Sequence, residues 1–301
     1  MRKLGNVTQL NSVKRLAYTD GAEKGLEILQ ISNGALDFEI LLDKCMDLGQ
    51  LRHKGTNISF VSKNGFVCRP APYQKKFCGG MLYTCGLDGI GQRAGFDVHG
   101  SIHGTPAKIL EIFCDCEKIR IVGTMTDSAL FGQHLKLTRT IETAHASGAV
   151  EITDKIRNAG FASQKICLLY HINIGYPMPD LGAKICAVPL SSRGRTAFAQ
   201  ENLADCFNIG APVDGGEEQV FYHTLKEGVV SLENAAVKKR FTVAYDPAAL
   251  PHLIEWKSMV SGDYALGIEP STTLLDDEFA YSAIEAGETK TFKLRLEASD
   301  I

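Results

Sequence analysis

The sequence predicts an all-β protein, a single large antiparallel β-sandwich. Three observations carry this. Short runs with period-two alternation recur along the chain, helix-period stretches are scarce, and no internal repeat or low-complexity linker divides the 301 residues.

The alternating runs are Leu36–Leu42, Lys118–Met125, His134–Ile141, Ala149–Arg157, Lys165–Ile172, Val229–Glu233, Arg240–Tyr245 and Lys290–Leu296. Each puts apolar side chains on one face and polar ones on the other, as a half-buried strand requires. Ile166 to Leu169 is apolar on both faces, so that strand is expected in the interior. Asn33-Gly34 and Ser147-Gly148 read as turns, each just before a strand. Single helical turns are expected at Asn11 to Tyr18 and Ala248 to Ile254. The helix–strand alternation of a doubly wound or α/β-barrel chain is missing. Lys63 to Pro106 is different, being rich in Gly, Cys and aromatics with weak periodicity. Long irregular segments of this kind are usually functional loops.

At about 150 residues per domain the length would suggest two domains. The strands run on without a break, however, so residues 1–301 are read as one. Charge is nearly balanced, with 32 Lys+Arg against 35 Asp+Glu, a net −3. That excludes the basic excess of a dedicated nucleic-acid binder. No apolar stretch approaches the roughly 18 residues of a membrane span. The start, Met1 to Asn6, is followed by polar residues and not by an apolar core, so no secretory leader is expected. The nine cysteines include no Cys-x-x-Cys pair and read as reduced thiols packed as small hydrophobes. A cytoplasmic protein, monomeric or homodimeric, is expected.

Four segments hold polar residues that strands and turns do not need. Asp43-Lys44-Cys45-Met46-Asp47-Leu48-Gly49 ends an apolar strand in two acids and a base. It is either a solvated turn or part of a site. Gly79 to Leu87, followed by His99-Gly100-Ser101-Ile102-His103, combines tight-turn glycines with two histidines four apart. The spacing would suit a metal on a helix, but Gly100, Gly104 and Pro106 argue against a helix there. Tyr170-His171-Ile172-Asn173-Ile174-Gly175-Tyr176-Pro177 ends the buried strand, with His171, Asn173 and Gly175 on one face. That face reads as a pocket wall. Trp256 precedes Leu266-Gly267-Ile268-Glu269-Pro270, where a carboxylate at an apolar strand end should be partly desolvated and hence a better base.

In their order and spacing, from about Leu42 onward, these segments resemble the aldose 1-epimerase (galactose mutarotase) superfamily. They are most similar to its DUF4432 branch, labelled only as a domain of unknown function. The resemblance implies a galactose mutarotase-like supersandwich with a sugar site on the concave sheet, a small-molecule sugar or sugar derivative as partner, and no cofactor. It implies that Glu269 takes the proton of the anomeric hydroxyl and that His171 protonates the ring oxygen. His99, in its His-Gly motif, would hydrogen-bond the substrate. Lys44, Asp47, Arg69, Asn173, Tyr176, His223 and Trp256 are expected as further substrate-binding residues. Trp256 is either a stacking floor for a sugar face or part of the core, and Arg69 and Arg93 are either anion ligands or loop surface charges. Two departures stand out. The branch usually has arginine at Lys44, so a forked contact becomes a point charge. Mutarotases carry Asp-His near Tyr222-His223, so the hydroxyl-binding aspartate is not evident. Besides a mutarotase-like enzyme, two readings stay open: a non-catalytic sugar binder or sensor, and a metal-dependent isomerase or lyase using His99, His103 and Glu269.

Overall fold

The computed structural model describes residues 2–93, 95–276 and 279–301. Three antiparallel sheets account for most of it. The first is a five-stranded meander running in sequence order from Ser12–Ala17 to Thr56–Asn57. The second has eight strands, with Thr289–Asp300 and Ala149–Asn158 at its centre. The third runs Pro189–Gly194, Gln219–Leu225, His252–Val260, Asp263–Ser271, Gln164–Gly175, Ser282–Ile284, and Tyr83–Leu87 also pairs with Gln164–Gly175.

All eight alternating runs are strands. Gln164–Gly175 is buried along its length from Ile166, and its two faces serve different purposes. Ile166, Leu168, Tyr170, Ile172 and Ile174 enter the large core between the sheets. Cys167 and Leu169 join a second cluster with Tyr83, Ile254 and Leu274. Burial on both sides explains why alternation disappears over Ile166 to Leu169.

Both helical expectations need correction. Ser12–Ala17 is a strand, because Glu27–Ser32 offers a full ladder from Ser12↔Ser32 to Ala17↔Glu27 that a lone helical turn could not match. Ala249 and Leu250 do close one turn onto the Asp246 carbonyl, but Pro251 ends it and the strand His252–Val260 begins at once. The irregular segment 63–106 contains the short helix Tyr73–Lys76 and the strand Tyr83–Leu87. Its strand pairs with Gln164–Gly175, and its Tyr73, Phe77 and His99 line a cleft beside the third sheet. No helix among the described residues is long and apolar enough to cross a membrane. None of the nine cysteines forms a disulfide.

Inside the sandwich lies a polar knot. Arg139 is fully buried and donates to Asp154 through Nε (2.9 Å) and Nη2 (2.7 Å), and to Asp47 through Nη1 (2.7 Å). Nη1 also reaches the Cys45 carbonyl and Nη2 the Thr84 hydroxyl. Thr84 in turn donates to Asp47 from its backbone N–H and its hydroxyl, and Tyr170 donates to Asp154. The knot therefore ties together segments from all three sheets. Burial pushes the Asp47 carboxyl up to about 6, against the opposing pull of Arg139 and the Thr84 hydrogen bonds.

Candidate active site

Adjacent strands of the third sheet bring the chemistry together. His171 lies on Gln164–Gly175, Glu269 on Asp263–Ser271 and Trp256 on His252–Val260. The registers Ile172↔Ile268 and Trp256↔Gly267 place all three side chains on one face of the sheet. His171 Nε2 lies 3.1 Å from Glu269 Oε1, and both residues are buried. The contact lacks hydrogen-bond alignment, and His171 Nδ1 and Glu269 Oε1 have no hydrogen-bond partner. Buried polar atoms are rarely left so, which marks the pair as waiting for something.

Gly267 makes room for it. A Cβ there would sit 2.5 Å from Glu269 Oε1 and 3.1 Å from both His171 Cε1 and Trp256 Cβ. Any side chain would displace the carboxylate. Burial, with Glu218 adding its charge, holds the Glu269 carboxyl well above the carboxylate range. Burial, with His99 close by, pushes the His171 imidazole well below its usual range. Both shifts favour the uncharged forms of the pair.

The pair forms one end of a cleft of about 560 Å³. Its walls include Phe60, Tyr73, Phe77, His99, Trp256 and Val220. His171 is ringed by Trp256 (5.4 Å between centroids), Phe77 (5.5 Å) and His99 (5.7 Å). The Gly91 N–H donates to His99 Nδ1 at 3.3 Å, so in the neutral ring Nε2 carries the hydrogen and can donate. Neutral it is, because burial and then Arg195 push His99 down to about 4. Glu218 and Arg195 add polar groups to the lining. Trp256 Nε1 donates to Glu218 (2.7 Å), and Arg195 Nε donates to Asp276 (2.7 Å), which also accepts from Tyr222 (2.7 Å). Apolar rings with a few acceptors and donors suit a polyhydroxylated ring, which has apolar faces and polar edges.

Of the expected site residues, His171, Glu269, His99 and Trp256 meet in this cleft. Trp256 lines the cleft and also packs against the second core cluster, so it serves as both wall and core. The others lie elsewhere. Asp47 is held in the Arg139 knot. Lys44 is buried at the preceding turn, where its charge falls on Cys78 and His103. Asn173 does share the face of His171, but Phe60 donates its backbone N–H to the Asn173 carbonyl, and Asn173 Nδ2 donates to the Gly80 and His171 carbonyls. Gly175 permits this cover, since a Cβ there would lie 2.5 Å from Phe60 Cα. Tyr176 is exposed on the far side of that segment and lines a shallow depression with Arg52 and Tyr264. Arg69 is exposed and outside the cleft lining. Arg93 packs on the Phe279 ring and donates to the Ile90 and Leu275 carbonyls. His223 points to the reverse face of the sheet, bonded to Ser192 and Glu255.

The metal reading with His99, His103 and Glu269 is not supported. Their ligand atoms do not converge, and His103 instead stacks on Tyr83 at 4.1 Å. Tyr73, Phe77, Arg195, Glu218 and Gly267 went unassigned in the sequence. Gly267 alone had a signal, as a glycine inside the motif that carries Glu269.

Among solved structures, a proposed aldose 1-epimerase from Klebsiella pneumoniae aligns with a TM-score of 0.86 at 20% identity, covering 96% of this chain and 83% of that one. A galactose mutarotase-like protein from Clostridium acetobutylicum aligns at 0.71 and 13%, covering 97% and 100%. A proposed aldose 1-epimerase from Escherichia coli K12 aligns at 0.65 and 11%, covering 97% and 100%. No curated protein matches the sequence. At these identities the likeness establishes a galactose mutarotase-like fold. A family model matches residues 23–298, and the chain belongs to that family, Domain of unknown function (DUF4432).

Proposed function

We propose that this protein interconverts the anomers of a free sugar, with Glu269 and His171 moving the protons. One observation carries the reading: a carboxyl and an imidazole, both buried and 3.1 Å apart, lining an aromatic-walled cleft. The anomeric hydroxyl and the ring oxygen of a sugar are bonded to one carbon, so an acid and a base this close can reach both.

In the forward step Glu269, as carboxylate, takes the hydroxyl proton while C1 becomes a carbonyl. The C1–O5 bond breaks and the imidazolium of His171 gives its proton to O5. Rotation about C1–C2 and closure on the other face return both protons. The state required, carboxylate beside imidazolium, is a tautomer of the resting pair. No proton need come from water. Sugar hydroxyls and the His99 Nε2–H can stabilise the charged tautomer that the dry cleft disfavours. Trp256 and Phe77 offer apolar surface to the C–H faces of the ring. Galactose mutarotase-like folds among the structural neighbours support the same substrate class.

Polarimetry on freshly dissolved aldoses, uronates and sugar phosphates tests the proposal. At least one sugar should reach its equilibrium rotation faster with enzyme than in buffer. If the whole panel mutarotates at the buffer rate, the proposal fails.

A further inference from the structure

On the reverse face of the same sheet a second group of reactive side chains takes no part in this chemistry. Cys206, His223 and Glu255 are all buried, and their ligand atoms lie within 4.8 Å of one another. His223 and Glu255 come from adjacent strands, Gln219–Leu225 and His252–Val260. Their neighbours Val220, Ile254 and Trp256 line the cleft, so alternation turns His223 and Glu255 away from it. Cys206 follows the short turn Leu203–Asp205 laid across that face.

We propose that Cys206, His223 and Glu255 bind a divalent cation of the zinc class. His223 Nε2 lies 3.1 Å from Glu255 Oε2. Ligand atoms on a tetrahedral zinc at about 2.0–2.1 Å stand roughly 3.3 Å apart, so this edge is nearly formed. The second carboxylate oxygen, Glu255 Oε1, is buried without a hydrogen-bond partner and can complete four donors. The nearest cation does not satisfy it. Lys257 Nζ spends its three N–H groups on the carbonyls of Asp205 (2.8 Å), Cys206 (3.1 Å) and Asn208 (2.9 Å), which fixes the loop that presents the thiol.

The outer contacts fit as well. Ser192, directly across the ladder from His223, has its hydroxyl 2.7 Å from Nδ1. A metal-binding histidine commonly donates its other nitrogen to such an acceptor, which leaves Nε2 free to ligate. A thiolate, an imidazole and a carboxylate favour zinc over calcium or magnesium, which prefer all-oxygen sites. Ala204, Asp205 and Asn208 around the thiol are exposed, which gives the ion a short way in.

Titration of the metal-free protein with Co²⁺ reads this directly, because a thiolate ligand produces a near-ultraviolet charge-transfer band. The wild-type chain should take up about one equivalent with that band. Cys206→Ser should abolish the band, and Ser192→Ala should weaken binding about 10–100-fold. Glu269→Gln should bind cobalt as wild type does, which separates this site from the proposed sugar chemistry. Absence of the band in wild type, or its survival in Cys206→Ser, overturns the proposal. Should Cys206→Ser fail to fold, unweakened binding in Ser192→Ala together with unweakened binding in Glu255→Gln overturns it equally.

Discussion

The Arg139 knot and the His171–Glu269 pair are both buried and polar, yet they are built on opposite terms. In the Arg139 knot the guanidinium has five hydrogen bonds to Asp47, Asp154, Thr84 and the Cys45 carbonyl. In the cleft, His171 and Glu269 touch at 3.1 Å, yet each keeps an unpartnered polar atom. A buried network with all its bonds made rigidifies a core, whereas one left incomplete is poised to accept a ligand. Both clusters contain a carboxyl lifted by burial, Asp47 and Glu269, so a shifted pKa does not distinguish them. Satisfaction does.

The contrast breaks most readily at Glu269. Glu269→Gln should lower the rate of anomer exchange by about 10²–10⁴-fold while leaving stability within about 1 kcal/mol of wild type, since the replacement is isosteric and uncharged. Adding His171→Asn should cost little more, because the two act as a unit. Rates and urea midpoints measured on the same samples decide it, and a variant that keeps full activity removes Glu269 from the chemistry. The knot should behave in the reverse way. Arg139→Met leaves two carboxylates buried without their base and should cost about 3–5 kcal/mol of stability. Activity per folded molecule should be retained. A loss under about 1 kcal/mol in denaturant melts would mean that the knot is not structural.

Gly267→Ala sharpens the comparison from within the cleft. Its Cβ would push on the Glu269 carboxylate and should cut the exchange rate by up to about 10²-fold at little cost in fold. Titration gives the smallest effects. Because burial raises the Glu269 carboxyl above 4.5 and lowers the His171 imidazole below 6.5, the ionisations that shape the rate should be displaced from those ordinary values in those directions. A rate profile governed by ionisations at the ordinary 4.5 and 6.5 would contradict that effect of burial. In the knot, Asp47 titrates at about 6 in the fold against 3.8 without its surroundings, so the folded state holds that proton more tightly. Its contribution to stability is therefore fully present below 3.8 and is lost as pH rises to about 6. Relative to Asp47→Asn, wild type should lose stability over that window, which denaturation at several pH values would follow.

The sandwich was legible because alternation is a local property of the chain, and every run from Leu36–Leu42 to Lys290–Leu296 forms a strand. Ser12–Ala17 escaped because its ladder partner, not its own pattern, decides its state. The site was legible where a residue's strand position fixed its direction. His171, Glu269 and Trp256 follow from register and alternation. Asp47 and Asn173 were misplaced for a different reason. Each is polar at a buried strand end, as the pair is, but nothing local reveals that Arg139, 92 residues on, occupies Asp47, or that the Phe60 backbone closes over Asn173. Arg195 and Glu218 reach the cleft from segments with no motif of their own.

The central claim rests on turnover at the His171–Glu269 pair. Saturation transfer between the two anomeric protons of an accepted sugar measures it at equilibrium, with wild type, Glu269→Gln and His171→Asn at matched folded concentrations. Exchange faster than in buffer with wild type, and reduced to near the buffer rate in both variants, is the expected result. Equal exchange in all three proteins would contradict the account.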